Sequence, residues 1–204
     1  MLKPSFILII SLFIFSTVIG QTFNSENYRV YSALIEKEIQ DTTNSITIIK
    51  ELENNKYEPW VKDAIESRNR EQLEQLYFWT RDTNGNIVRP IDSVTQTLIL
   101  SYYQTQSNKA NLTNQFNVNA QIFLVSKSSF KKSLKDDWGS FYKKYPGSGG
   151  AFQFSNIYYS PDNATAVFYY WHGRNGLNGH GSLAVMTKMD NQWHLKYEIY
   201  LWQS

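Results

Sequence analysis

The chain contains no cysteine. That excludes disulfides, thiolate nucleophiles and an N-terminal lipid on cysteine, so the hydrophobic core alone must carry stability. Histidine is almost as scarce, with His172, His180 and His194 the only three. No charge of one sign dominates. Of 20 basic residues Lys3 lies in the first twenty positions, which leaves 19 against 18 acidic ones beyond it, a net charge of +1. Nothing in that balance steers the protein to nucleic acid or to an anionic membrane. The one long apolar run is Phe6 to Ile19, short of the ~20 residues that span a bilayer and without a basic stop-transfer flank. It reads as a secretory signal peptide over 1–20, cleaved near Gly20/Gln21, which places the product in the periplasm or outside the cell with no stable membrane span after cleavage.

What is abundant is aromatic surface: 6 Trp, 14 Tyr and 12 Phe. Asn24 or Ser25 can cap a helix from Glu26 to Gln40, with Tyr28, Tyr31, Ile35 and Ile39 at helical spacing. Ser45–Leu52 is a β-branched run that predicts a strand beside a C-terminal sheet. Two short helices are expected between Glu58 and Thr80, a turn at 82–86, a helix capped by Asp92 or Ser93, a strand at Gln121–Ser126 and a helix over Ser128–Lys144. Four strands in tandem follow, over residues 151–159, 164–172, 182–189 and 192–202. The fold class is α+β, a single domain over 21–204, with N-terminal helices packed on a mainly antiparallel sheet that ends in a four-stranded β-meander.

Alternation in the last strand predicts Trp193, Leu195, Tyr197, Ile199 and Leu201 on the core face, and His194, Lys196, Glu198, Tyr200 and Trp202 on the other. Gly173, Gly176, Gly179 and Gly181 predict a wide hairpin loop whose glycines take unusual dihedrals. A phosphate-binding loop is disfavoured, because a strand rather than a helix follows.

The segment Asp137-Trp138-Gly139-Ser140-Phe141-Tyr142, the turn Tyr145-Pro146-Gly147, Asn163-Ala164-Thr165-Ala166-Val167, the glycine loop and the ending Trp193…Trp202-Gln203-Ser204 together resemble a family of small secreted bacterial proteins of unassigned function. The resemblance covers most of the chain after the apolar run and implies export and this fold, but no chemistry. It also implies two cysteines in the glycine loop, where this sequence has Asn175 and Asn178.

Several constellations bear on chemistry. His172 and His180 flank the glycine loop, and with Glu198 they are the candidates for a general base. No metal or other cofactor is expected, since three scattered histidines lack the spacing of a ligand set. Asp82-x-Asn84-x-Asn86 resembles a calcium loop, but its glycine is misplaced and Ser93 stands at the twelfth position, so a turn is the better reading. The carboxylate pairs Asp136/Asp137 and Glu36/Glu38 read as solvated faces. Lys127, Lys131, Lys132, Lys135, Lys143 and Lys144 read as a solvated lysine face.

The reading that follows is an exported, non-catalytic module that binds a ligand or cell-envelope partner through Tyr169, Trp171, Gly173, Arg174, Gly176, Gly179, Tyr200 and Trp202. A small extracytoplasmic hydrolase using His172 or His180 with Glu198 is the alternative class, and a self-associating envelope protein a third. Geometry separates the first two: catalysis needs groups within hydrogen-bond reach in a pocket, binding only an open aromatic face.

Overall fold

A computed structural model describes residues 24–39, 43–54, 59–105, 109–135 and 137–204. The signal-peptide reading and its cleavage point lie outside these residues. Helix α1 spans Ser25–Glu38, with the Asn24 side chain accepting from the Asn27 amide. Its spacing buries Tyr28, Tyr31, Leu34 and Ile35 on one stripe. Strand β1 is Ser45–Ile49, buried throughout. Then come α2 (Trp60–Ser67), α3 (Arg70–Phe78), β2 (Thr80–Asp82) and α4 (Ser93–Gln104), the last capped by Asp92. Strand β3 is Gln121–Val125.

The single helix expected over Ser128–Lys144 is two: α5 (Lys127–Ser133) and α6 (Trp138–Lys144). Asp137 is the reason, because its extended backbone starts a new helix and its Oδ1 accepts from the Ser140 amide at 2.9 Å. The strand expected over 151–159 is likewise divided into β4 (Ser148–Phe154) and β5 (Tyr158–Tyr159). Between them Ser155 is fully buried, and its hydroxyl bonds Tyr102 and the Tyr169 amide. The meander closes with β6 (Thr165–Asn175), β7 (Asn178–Met189) and β8 (Gln192–Gln203).

All eight strands join one mixed sheet in the order β2-β8-β7-β6-β4-β1-β3, with β5 also on β6. β1 runs parallel to both β3 and β4, and the remaining pairs are antiparallel. The sheet is covered on both faces. Phe168, Ala184 and Met186 pack with Tyr28, Tyr31, Leu34 and Ile35 of α1. The alternate residues Val167, Leu183 and Val185 pack with Ile65 of α2 and Ile99 and Tyr102 of α4. At the far end of that second face Phe130 and Phe141, from α5 and α6, meet Ile49 and Ala151. Each such side chain contributes about 1.5–3 kcal/mol by leaving water, which makes α1 a structural lid on the first face.

Two expectations about the last strands fail for physical reasons. Gly173–Gly181 is not a wide loop. The ladder continues through it, pairing His172 with His180, Gly173 with Gly179 and Asn175 with Asn178, so that only Gly176 and Leu177 turn. Gly173 and Gly181 make room for rings, and none of the four glycines takes a positive φ. A Cβ on Gly181 would stand 2.2 Å from Trp202 Nε1, and one on Gly173 2.5 Å from Trp171 Cζ2. Nor does β8 alternate simply. Its partners in β7 skip Lys196 and Leu201, two bulges that each reverse the phase. Trp193 and Leu195 therefore face α1, while Tyr197 and Ile199 face α2 and α4.

Candidate functional site

The first bulge decides where Glu198 points. Opposite Ala184, it lies on the α1 face and is only 7 % exposed. Glu38, the last residue of α1, follows Leu34 by four and Ile35 by three and so comes down over the same place. His172 and His180 arrive as a cross-strand pair, their rings 5.9 Å apart, and Tyr170 lies two residues before His172 on the same face.

These five side chains, with Tyr200, form one network. The Tyr170 hydroxyl donates to Glu198 Oε1 and lies 3.0 Å from His180 Nε2, while the Tyr200 hydroxyl donates to Glu198 Oε2 at 3.2 Å. Glu38 Oε2 stands 3.3 Å from His172 Nδ1 and 3.6 Å from His180 Nε2. The other His172 nitrogen faces the Gly149 carbonyl at 3.0 Å, and the ring stacks on Phe152 at 4.0 Å. Arg174 donates to the Glu38 backbone carbonyl at 3.0 Å, closing the C-terminus of α1.

The surroundings push the titratable groups apart. Burial, with the nearby Glu38 charge, raises Glu198 to about 7. Burial lowers His180 to about 4, only partly offset by Glu38. Burial alone would raise Glu38, but the His172 hydrogen bond and the positive charge around it outweigh that and hold its carboxyl below the usual range. Burial beside Glu198 drives Tyr170 well above an ordinary phenol. Glu38, Glu198, Tyr200 and Gln203 border a polar pocket of about 440 Å³ with Arg81 and Asp82.

Sequence reading placed Glu38 on a solvated face with Glu36. Glu36 is exposed, but the Glu38 side chain is 14 % exposed. Seven residues after Tyr31, Glu38 continues the buried stripe, and that spacing was the available signal. Tyr170 is absent from the sequence reading, and its one available signal is the phase it shares with His172.

On the opposite face Tyr169, Trp171 and Trp202 converge, with Trp202 Nε1 donating to the Tyr169 hydroxyl at 3.3 Å. With Ile49, Phe130 and Leu134 they line an apolar pocket of about 440 Å³. Lys127 and Lys131 of α5 stand at its rim, the former paired to Glu53 at 3.0 Å. The eight residues proposed for binding thus divide. Tyr169, Trp171 and Trp202 share this pocket, while Tyr200 and Arg174 belong to the polar network. Gly173 and Gly179 face each other inside the ladder, and Gly176 forms the hairpin turn. The 82–86 segment is a turn in which Asp82 Oδ1 accepts from the Asn84 and Asn86 amides. His194 is exposed on β8, opposite Thr187.

Fold and sites together define an α+β protein with a mixed eight-stranded sheet, an apolar aromatic pocket on one face and a buried Glu/His/Tyr network on the other. Comparison with protein-family models, curated proteins and solved structures found no match to this chain. Among the described residues no helix is long and apolar enough to cross a membrane.

Proposed function

We propose that this is an exported, non-catalytic binding protein whose ligand enters the aromatic pocket. One observation carries the reading: Tyr169, Trp171 and Trp202, from two strands, present ring surface to an open apolar cavity of about 440 Å³. Rings fixed by a sheet bind flat apolar ligand surface at little entropic cost, and Lys131 at the rim supplies a positive charge for an anionic group. Export rests on the N-terminal apolar run and on the resemblance to secreted bacterial proteins, and cell-envelope material is the source of ligand that such a location supplies. The test is tryptophan fluorescence titration with aromatic carboxylates, fatty acids and envelope glycan fragments. Saturable quenching by one class, lost in Trp171→Ala plus Trp202→Ala with an unchanged circular dichroism spectrum, supports the reading; no response to any class, or equal response in the double variant, overturns it.

A second reading, a small hydrolase, is favoured by the chain of contacts from His180 through Tyr170 to Glu198 beside a polar pocket. There Glu198, neutral up to about pH 7, would protonate a leaving group while ionised Glu38 accepts a proton from water. Turnover of a polar ester or glycoside that disappears in Glu198→Gln carries it; no turnover across such a panel removes it.

A further inference from the structure

We propose that Glu38, His180 and Glu198 form a seat for a divalent cation of the zinc class. One nitrogen and two carboxylate oxygens, one from each residue, lie within 4.8 Å of one another, and His180 Nε2 and Glu38 Oε2 are 3.6 Å apart. Ligands about 2.0–2.2 Å from a tetrahedral zinc are roughly 3.3–3.5 Å from each other, so the set closes on an ion by side-chain shifts of about 1 Å. Imidazole with two carboxylates is a donor set that suits zinc and its first-row neighbours.

The second observation concerns Glu198. Its carboxyl is buried, its two oxygens meet only the hydroxyls of Tyr170 and Tyr200, and among the described residues no lysine or arginine forms an ion pair with it. A second carboxylate, Glu38, stands beside it. Buried carboxylates are ordinarily balanced by a cation or coordinate a metal, and here two share one recess. His172 and Arg174 stand by Glu38, and a divalent ion would supply the cation that Glu198 lacks.

The surrounding contacts fit that role. The three residues come from α1, β7 and β8, which the core holds fixed relative to one another. His172 orients the Glu38 carboxylate and Tyr200 that of Glu198, as outer groups do around metal ligands. Tyr170 keeps its bond to Glu198, and only its 3.0 Å contact with His180 Nε2 gives way when that nitrogen binds the ion. Glu38 and Glu198 border the polar pocket, so the fourth position left by three protein ligands can open to water or an oxygen-bearing ligand.

The test uses the chain from Gln21, stripped with EDTA. Isothermal titration with zinc chloride is expected to show one site per chain, with a rise in melting temperature. Cobalt(II) is expected to bind at the same stoichiometry with visible absorption bands of a four-coordinate nitrogen and oxygen site. Affinity should fall about 100-fold or more in His180→Ala and Glu198→Gln, about tenfold in Tyr200→Phe, and not at all in His194→Ala. Absence of both the binding heat and the cobalt bands in the wild-type chain overturns the proposal whatever the variants do. Binding kept in folded Glu38→Gln plus Glu198→Gln, or lost in His194→Ala, overturns it as well.

Discussion

At the scale of single residues, Glu198 and His180 oppose each other in their response to pH. In the metal-free chain the raised value of Glu198, about 7 against 4.5, means its contribution to stability is complete below pH 4.5 and is lost as pH rises through 7. The lowered value of His180, about 4 against 6.5, works the other way: its contribution is complete above pH 6.5 and is lost as pH falls toward 4. The two largely cancel between pH 4.5 and 6.5. Glu198→Gln removes one arm, so its unfolding free energy in urea should climb with pH relative to wild type, by roughly 3 kcal/mol between pH 4.5 and 7. Parallel wild-type and variant profiles would show that Glu198 titrates normally. On the other face, Gly181→Ala drives a methyl group into Trp202 and the Tyr169 hydroxyl. It should cost about 1–3 kcal/mol and disturb the aromatic pocket, visible as a shifted tryptophan emission maximum. An unshifted spectrum would mean that Trp202 does not hold this position.

At the scale of elements, β8 shows why alternation misled. A period of two assumes one residue per partner, and Lys196 and Leu201 have none in β7. Counting in the sequence, deletion of Lys196 should invert every side chain beyond it. The register gives the opposite result: deletion removes the bulge and leaves Glu198, Tyr200 and Trp202 on their present faces, losing chiefly the exposed contact of Lys196 with Asp92. The deletion variant is expected to fold, with a melting temperature a few degrees lower, and a chain that fails to fold would refute this account. Asp92→Ala should cost about 1 kcal/mol through the lost cap of α4, read as a lower urea midpoint. Local signals made α1, β1, α4 and β3 readable within a few residues, because caps and β-branched runs act over short range. The α5–α6 break had a local signal too, the Asp137 cap, which a continuous helical pattern masked. The glycine ladder depends on rings such as Trp202 that its backbone meets across the sheet, which no neighbouring residue records.

At the scale of the whole molecule, the layering was legible because aromatic runs at residues 151–202 demand burial and the amphipathic N-terminal segment can supply it. The candidate site was legible in part. His172, His180 and Glu198 were visible as scarce titratable groups, but Glu38 joins them from more than a hundred residues away, through the angle at which α1 crosses the sheet. Two sites on opposite faces also imply independence. Phe130→Ala, in the aromatic pocket, and His180→Ala should add in their effects on stability to within about 0.5 kcal/mol, as distant residues with no shared partner do. A larger coupling in a double-mutant cycle would reveal communication through β6 and β7. If the signal peptide is removed as expected, mass spectrometry of the exported chain will find Gln21 at its start; a longer chain would contradict cleavage there.

The contact of α1 with the last hairpin has a temporal meaning. Glu26 bonds Lys188 and Trp193, which lie 162 and 167 residues further on. The first helix therefore completes its packing only when the last two strands have been made, although Ile46, Phe116 and Phe154 offer it part of a surface earlier, and β1 waits for β3 and β4. Until β7 and β8 emerge, a nascent chain can form only part of the face on which α1 rests, so the final docking of that helix comes late.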